Sequence, residues 1–332
     1  MKKIGLLIGV LIVCVLAGIY QYKKIIQHPI ITSEDIHVNV ENGDTLYSIL
    51  DDLNQNGAVK NSSIIKFYIK KNGVKSNIHT GKFFIPKDST VNEIITILST
   101  VGNEEDIIKV TIPEGFDIKE IAKVLQEKGI INSEKFIESC KTYKLPTYIY
   151  ENENRNFNLE GFLFPATYEL KAGMSGNVII KSMVDKFYIT INEINKEKPI
   201  DMKKLDDIII MASIVERETS DATERNKVAS VFYNRLDKDI KLQSCATVLY
   251  SLGKHKEKIY NKDLEVKSPY NTYKVEGLPV GPICSPGKAS IKAVLSPAKT
   301  NYLYFVLNKD GKHFFTDNYN EFLKVKAVTQ GF

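Results

Sequence analysis

From Met211 to Leu236 the chain reads MASIVERETSDATERNKVASVFYNRL. An apolar helical pattern runs into two glutamates, Glu216 and Glu218, breaks at Thr219-Ser220-Asp221, and resumes as a second helix. A carboxylate at the end of so apolar a segment is costly to desolvate unless it is paired or put to use. On a helix turning about 100° per residue, Ile208, Met211, Ala212 and Val215 form one apolar stripe. Glu216 and Glu218 then fall on opposite shoulders of it, about 160° apart, and cannot enter one cleft together. Asp221-x-x-Glu224 predicts a capping box for the second helix. Glu218 lies in the last turn of the first helix, where the dipole's negative end and apolar neighbours both push a carboxyl pKa upward. A glutamate raised toward neutrality suits a general acid working near pH 7. The structural alternative is a surface glutamate paired with Arg217 or Arg225. These residues alone do not choose between Glu216 and Glu218.

Outward from this pair, the pattern before it is helical near residues 176–196. The pattern after it is one of loops and short strands: LQSCATVLYSLGK, SPYNTYKVEGLPVGPICSPGKASIKAVLSP and NYLYFVLNKDGKHFFTD. The last alternates aromatics around NKDG and predicts a hairpin. Farther upstream the chain repeats itself at a spacing of 72 residues, a shift read directly from the sequence. VNVENGDTLYSILDDLNQNGAVKNS from Val38 aligns without a gap on VTIPEGFDIKEIAKVLQEKGIINSE from Val110. A shorter echo spans residues 84–99. Each unit reads as a strand, a turn and an amphipathic helix, with Gly57 and Gly129 as helix stops in the longer two. Such βα units must pack on neighbours to bury their faces.

The opening MKKIGLLIGVLIVCVLAGIYQYKK sets apolar residues from Ile4 to Tyr20 between lysine pairs. About twenty residues at ~1.5 Å rise cross a bilayer core, so the segment predicts a single-pass anchor. Its short Lys2-Lys3 start favours an inside N-terminus. The run is long for a signal peptide and shows no convincing cleavage site. The expected organisation is therefore a stub and transmembrane helix over 1–24, a small βα subdomain over 25–104, and a main domain over 105–332. Within the last, a second βα unit occupies 105–156 and a core occupies 157–332. The fold class is α+β with a mixed α/β main domain, and that domain would lie outside the cytoplasm.

The 332 residues are 43% hydrophobic and 26% charged, with a formal net charge of +5 spread over scattered lysines. No arginine cluster, aromatic RNA-binding signature or zinc spacing points to nucleic acid. The five histidines, His28, His37, His79, His255 and His313, have no metal-ligand spacing, and no phosphate-loop, nucleophile-elbow or zincin motif is present. A Ser-His-Asp triad stays open, though nothing nominates its serine, and beside it metal-free carboxylate chemistry without a cofactor remains. The four cysteines contain no CxxC pair. Cys245 and Cys284 either pair in an oxidising space or stay as buried free thiols.

The VENGDTLYSIL stretch of the first repeat resembles the opening of a LysM carbohydrate-binding module, a purely structural scaffold being the alternative. The motifs ASIVERET, ERNKVASVFYNRL, LQSCATVLY, SPYNTY, GLPVGPICSPG, ASIKAVLSPAKTNYLYFV and HFFTDNYNEF follow one another in this order from Ala212 to Phe322, within a likeness that runs over nearly the whole chain. Together they resemble the YceG-like family of endolytic murein transglycosylases. That resemblance implies a lyase acting on peptidoglycan glycan strands, with the second glutamate of IVExET, here Glu218, as acid and then base. It also implies 1,6-anhydro-MurNAc products and cell-wall synthases as neighbours at the membrane. Where some members carry Asp-Pro, this chain has Cys245-Ala246, so position 245 has no essential acidic role.

Polar groups at Gln243, Ser244, Tyr270, Asn271, Thr272 and Tyr273 are candidate cleft hydrogen-bonders, Glu160 is a candidate substrate contact, and Phe164 and Tyr168 are candidate stacking rings or core residues. Two other readings stand beside this one. One is a hydrolytic muramidase in which Glu160 or Glu224 activates water, and the other is a glycan-binding scaffold without turnover.

Overall fold

The computed structural model of the chain describes residues 2–32, 34–74, 78–99, 107–253, 256 and 259–330, and for residues 2–12, 14 and 330 the backbone alone. The chain divides into two compact units, Met1–Ile107 and Ile108–Phe332. The division expected at 104/105 lies outside the described residues.

The first unit opens with α1 (Lys2–Gln27) and β1 (Ile36–Val40), followed by α2 (Leu46–Gln55) and α3 (Ser62–Lys71). It closes with β2 (Gly81–Ile85) and α4 (Val91–Ser99). β1 and β2 pair antiparallel, from Ile36 opposite Ile85 to Val40 opposite Gly81. The alternation of β1 buries Ile36, Val38 and Val40 and leaves His37 and Asn39 outward, as a strand with one solvated face requires. Thr45 starts α2 as one half of a capping box with Ser48. Gly57, at φ 69°, takes the left-handed conformation just past that helix, where a Cβ would be strained. Ile25 near the end of α1 joins this unit's core, whereas Val13, Val15, Leu16, Ile19 and Tyr20 are exposed. Among the described residues no helix is long and apolar enough to cross a membrane. Most side chains of the anchor expected over 4–20 lie outside them.

The second unit begins within β3 (Ile107–Thr111) and continues with α5 (Ile118–Glu127) and α6 (Ser133–Thr142). β3 pairs with β4 (Thr167–Lys171), and α7 (Gly176–Glu197) packs on α6. At the centre runs α8 (Leu205–Glu218), with α9 (Arg225–Leu236), α10 (Cys245–Leu252) and α11 (Lys288–Leu295) against it. The hairpin of β5 (Tyr304–Leu307) and β6 (His313–Thr316) follows, turning through Asn308–Gly311, and α12 (Tyr319–Gln330) packs on it.

α8 departs from the expected one-sided stripe. Every residue from Ile209 to Val215 is buried, while Ile208, placed on the stripe by the sequence, is only partly so. A helix wrapped by three others is apolar all round. Its one hydroxyl, Ser213, is satisfied by donating to the Ile210 carbonyl and accepting from the Ile283 N–H.

Candidate active site

The last turn of α8 sends three consecutive side chains to three places. Glu216 is almost fully buried and saturated. Its Oε1 lies 3.4 Å from the Arg225 guanidinium, and its Oε2 accepts the Gly287 N–H at 2.9 Å. That carboxylate ties α8 to the starts of α9 and α11. Arg217 donates to the Gly115 carbonyl at 2.9 Å, reaching the turn that precedes α5. Glu218, on the opposite shoulder, faces a cavity of about 490 Å3, within the usual range of ligand sites, ~300–1,000 Å3. The two glutamates differ in their partners: Glu216 is held by Arg225 and Gly287, whereas Glu218 opens on this cavity and also on a second, of about 340 Å3, that Glu216 lines too.

Glu218 is half-buried and lines that cavity with Arg235, Ser244, Cys245, Tyr273, Tyr304 and His313, among others. No other carboxylate lines it among the described residues. The Ser244 hydroxyl donates to Glu218 Oε1. Ser244 is the N-cap of α10, a position whose side chain ordinarily serves its own helix. Here it makes no such bond and is turned onto the glutamate. Its own backbone is pinned by Thr272, whose hydroxyl accepts the Ser244 N–H at 2.9 Å, and by Thr247, which donates to the Ser244 carbonyl at 2.7 Å. Gln243 before it adopts φ 52°, a left-handed turn that a side chain tolerates only under such constraint.

Burial raises the pKa of Glu218 above the ordinary carboxylate value. The Ser244 hydrogen bond, the charges of His313 and Arg235, and the Ala246 N–H pull in the other direction, and burial prevails. The amide at the start of α10 is also the positive pole of a helix dipole, which opposes the negative pole of α8.

Glu224 does not form the expected capping box. Asp221 turns back on Thr223, accepting its N–H at 2.8 Å, and Glu224 begins α9 with no side-chain cap. The Glu224 carboxylate is buried instead and accepts the His313 backbone N–H at 2.8 Å, with His313 Nδ1 2.6 Å away. Two donors from one residue outcompete the single amide that a capping box would offer.

The YceG-like family matches residues 38–328 of the chain. The chain belongs to the YceG-like family. It is 33% identical over 326 residues to the endolytic murein transglycosylase of Bacillus subtilis, covering 94% of this chain and 90% of that relative. It is 29% identical over 317 residues to the endolytic murein transglycosylase of Streptococcus pneumoniae, covering 85% of this chain and 56% of the relative. The 2.6 Å crystal structure of a YceG-like protein from Listeria monocytogenes superposes with a TM-score of 0.61 at 33% identity, covering 89% of this chain and all of that one.

Within this YceG-like unit, Gln243, Ser244 and Tyr273 line the Glu218 cavity, as does Cys245. The other residues singled out as substrate contacts lie elsewhere. Phe164 and Tyr168 are core residues, and the Tyr168 hydroxyl is spent on the Phe164 carbonyl. Tyr270 is buried with its hydroxyl accepting the Asn156 N–H. Asn271 is buried and holds the Leu264 and Val266 carbonyls. Thr272 supports Ser244 from behind.

Glu160 is buried beneath the N-terminus of α5. It accepts the Ile118 N–H at 3.2 Å and the Tyr250 hydroxyl at 3.0 Å, and burial pushes its pKa up to about 8. Cys245 and Cys284 are free thiols. Cys284 is buried and donates to the Ser213 carbonyl, whereas Cys245 is exposed beside the Tyr273 hydroxyl. His255 lies outside the described residues.

Sequence reasoning passed over Arg235, Tyr304 and His313. Arg235 stacks over the Tyr304 ring at 5.3 Å and donates to the Leu303 and Leu242 carbonyls. The signal for His313 is its place as the first residue of the HFFTD strand, one arm of the aromatic hairpin.

Proposed function

We propose that this chain is a membrane-anchored endolytic lytic transglycosylase that cleaves the MurNAc–GlcNAc β-1,4 bond of peptidoglycan, with Glu218 as general acid and then base. The observation that carries this reading is a lone, half-buried glutamate of raised pKa on an otherwise carboxylate-free cavity wall. Protonated Glu218 gives its proton to the glycosidic oxygen as the C1–O bond breaks and charge builds on the MurNAc ring. The resulting carboxylate takes the proton of the same sugar's C6 hydroxyl, whose oxygen closes on C1 to form the 1,6-anhydro ring. The nucleophile comes from the substrate, so no second carboxylate is needed, in contrast to ordinary glycosidases. Ser244 holds Oε1, which leaves Oε2 to carry the proton. Arg235 and the α10 N-terminus favour the carboxylate, whereas burial favours the protonated acid.

The hydrolytic alternative loses support from geometry. Glu160 is enclosed by Ile118 and Tyr250, and Glu224 is engaged by His313. Neither lines the cavity.

The anchor reading rests on the apolar run from Ile4 to Tyr20 and on the exposed Val13, Leu16 and Tyr20 of α1. It carries with it an extracytoplasmic main unit, synthases as membrane neighbours, and glycan contact by the LysM-like first unit. Purified wall digested by the full chain in detergent should release fragments with anhydro ends, each lighter by one water (about 18 mass units) than the hydrolytic products expected from two-carboxylate chemistry. Reducing ends would contradict the lytic mechanism. Protease shaving of intact cells should degrade the main unit, and its survival there would contradict the topology.

A further inference from the structure

The Glu218 mechanism leaves one buried acid–base pair unused. Glu224 and His313 are each nearly inaccessible, with side chains 7% and 8% exposed. The carboxylate grips the histidine twice, through Nδ1 at 2.6 Å and through the backbone N–H at 2.8 Å, and the Thr219 hydroxyl reaches Glu224 Oε2 at 3.4 Å. Thr219 directly follows Glu218. The ring is wedged edge-on against Phe305, centroids 5.3 Å apart. Its Nε2 has no hydrogen-bond partner among the described residues, and the residue lines the Glu218 cavity. A carboxylate on one ring nitrogen fixes the orientation of the other. Burying such a pair is expensive, and packing alone would be served by apolar side chains.

We propose that Glu224 and His313 form a positioning dyad for Glu218, in which the buried carboxylate is counter-ion to the imidazolium and aims that positive charge into the cavity. This rests on the reading of Glu218 as the proton carrier. The charge favours the Glu218 carboxylate, opposing the burial that raises its pKa. The dyad thereby eases the second half of the reaction, in which a carboxylate must exist to receive the C6 hydroxyl proton. The other titratable groups around the cavity are Arg235 on α9, Cys245 on α10, Tyr273, Tyr304 on β5, and Tyr319 and Lys326 on α12. Arg235 is the remaining cation that acts on Glu218 in the same sense as His313, so the dyad supplies a share of the shift rather than all of it.

The test is the pH dependence of kcat for wall cleavage by the full chain in detergent, measured for the parent, His313→Gln, Glu224→Gln and the double variant. Loss of the imidazolium leaves Glu218 protonated to higher pH, so the alkaline limb should move up by ~0.5–1 pH unit in His313→Gln. It should move in the same direction in Glu224→Gln, with KM within about twofold of the parent, since pairs acting as a unit are non-additive. The double variant should then move no further than His313→Gln alone. A folded variant whose limb stays in place, or shifts that add, would overturn the dyad, as would a fall in melting temperature with no movement of the limb. Should His313→Gln fail to fold, Glu224→Gln carries the same readout. Glu218→Gln in parallel separates the two ideas: full cleavage by that variant defeats the parent reading, whereas an inactive Glu218→Gln with an unmoved His313→Gln limb defeats the dyad only.

Discussion

The two copies of the 72-residue repeat begin alike and end differently. In both, a strand carrying a buried valine at the matched position (Val38, Val110) leads to a capped helix, a left-handed glycine and a second helix. In the first copy the strand pairs with β2, which lies directly after α3 in the chain. In the second it pairs with β4, across the intervening 143–166 stretch. That stretch contributes Leu159, Phe162 and Leu163 to the core and places Glu160 under α5. The same local code builds the same local structure, and an inserted loop converts the second copy into part of a wall around α8. The turn before α5 receives Arg217 from α8. Nothing equivalent is asked of the first copy, whose core is its own.

The largest expected effect that would break this comparison comes from its matched core positions, Ile49 and Ile121. Each is buried, and truncation to Ala should cost about 2–5 kcal/mol. Ile121→Ala should lower the melting temperature of the second unit and reduce cleavage with it. Ile49→Ala should destabilise the first unit alone and leave cleavage of short soluble glycans at the parent rate. Equal loss of activity in both would show that the first copy also shapes the site.

Next in size is the pH dependence that Glu160 gives to the second copy. Its pKa rises from an ordinary 4.5 to about 8 on folding. The stabilising, protonated state is therefore fully present below about pH 4.5 and is lost as the pH climbs through about 8. Stability should fall across that window by up to about 1.4 kcal/mol per pH unit, the limit for one proton. Glu160→Gln should flatten the slope, and a parent unfolding curve indifferent to pH between those values would contradict the burial argument.

The smallest effect lies in the caps. Thr45→Ala and Asp117→Ala remove equivalent capping boxes and should each cost about 1 kcal/mol by chemical denaturation. A markedly larger loss at Asp117 would mean that the α5 N-terminus is coupled to Glu160 more tightly than the repeat implies.

Local features of this fold were legible in the sequence because short-range chemistry encodes them. The repeat, the glycine stops, the NKDG hairpin and the helix ending at Glu218 all rest on periodicity or turn residues. What escaped was set by distant partners. Nothing within the IVERET stretch says that Gly287 and Arg225 will consume Glu216, because both bonds depend on how α9 and α11 dock. Glu224 reads locally as a capping residue, yet His313, 89 positions away, claims it. Phe164 and Tyr168 show why aromatic-rich stretches mislead: the composition that would line a sugar cleft is also that of a core. Ser244 reads in the sequence only as one polar residue among several, and its place as a helix cap turned outward becomes visible only with α10 in place.

The central claim is that one of two neighbouring glutamates carries chemistry and the other carries structure. Glu218→Gln and Glu216→Gln, purified as full chains and compared for wall cleavage and thermal unfolding, test it directly. The account predicts that Glu218→Gln melts near the parent temperature and has lost cleavage by at least about a hundredfold, the lower end of what general acid–base catalysis contributes. Glu216→Gln should unfold at lower temperature yet still cleave while folded. A Glu218→Gln protein that cleaves at the parent rate would contradict it.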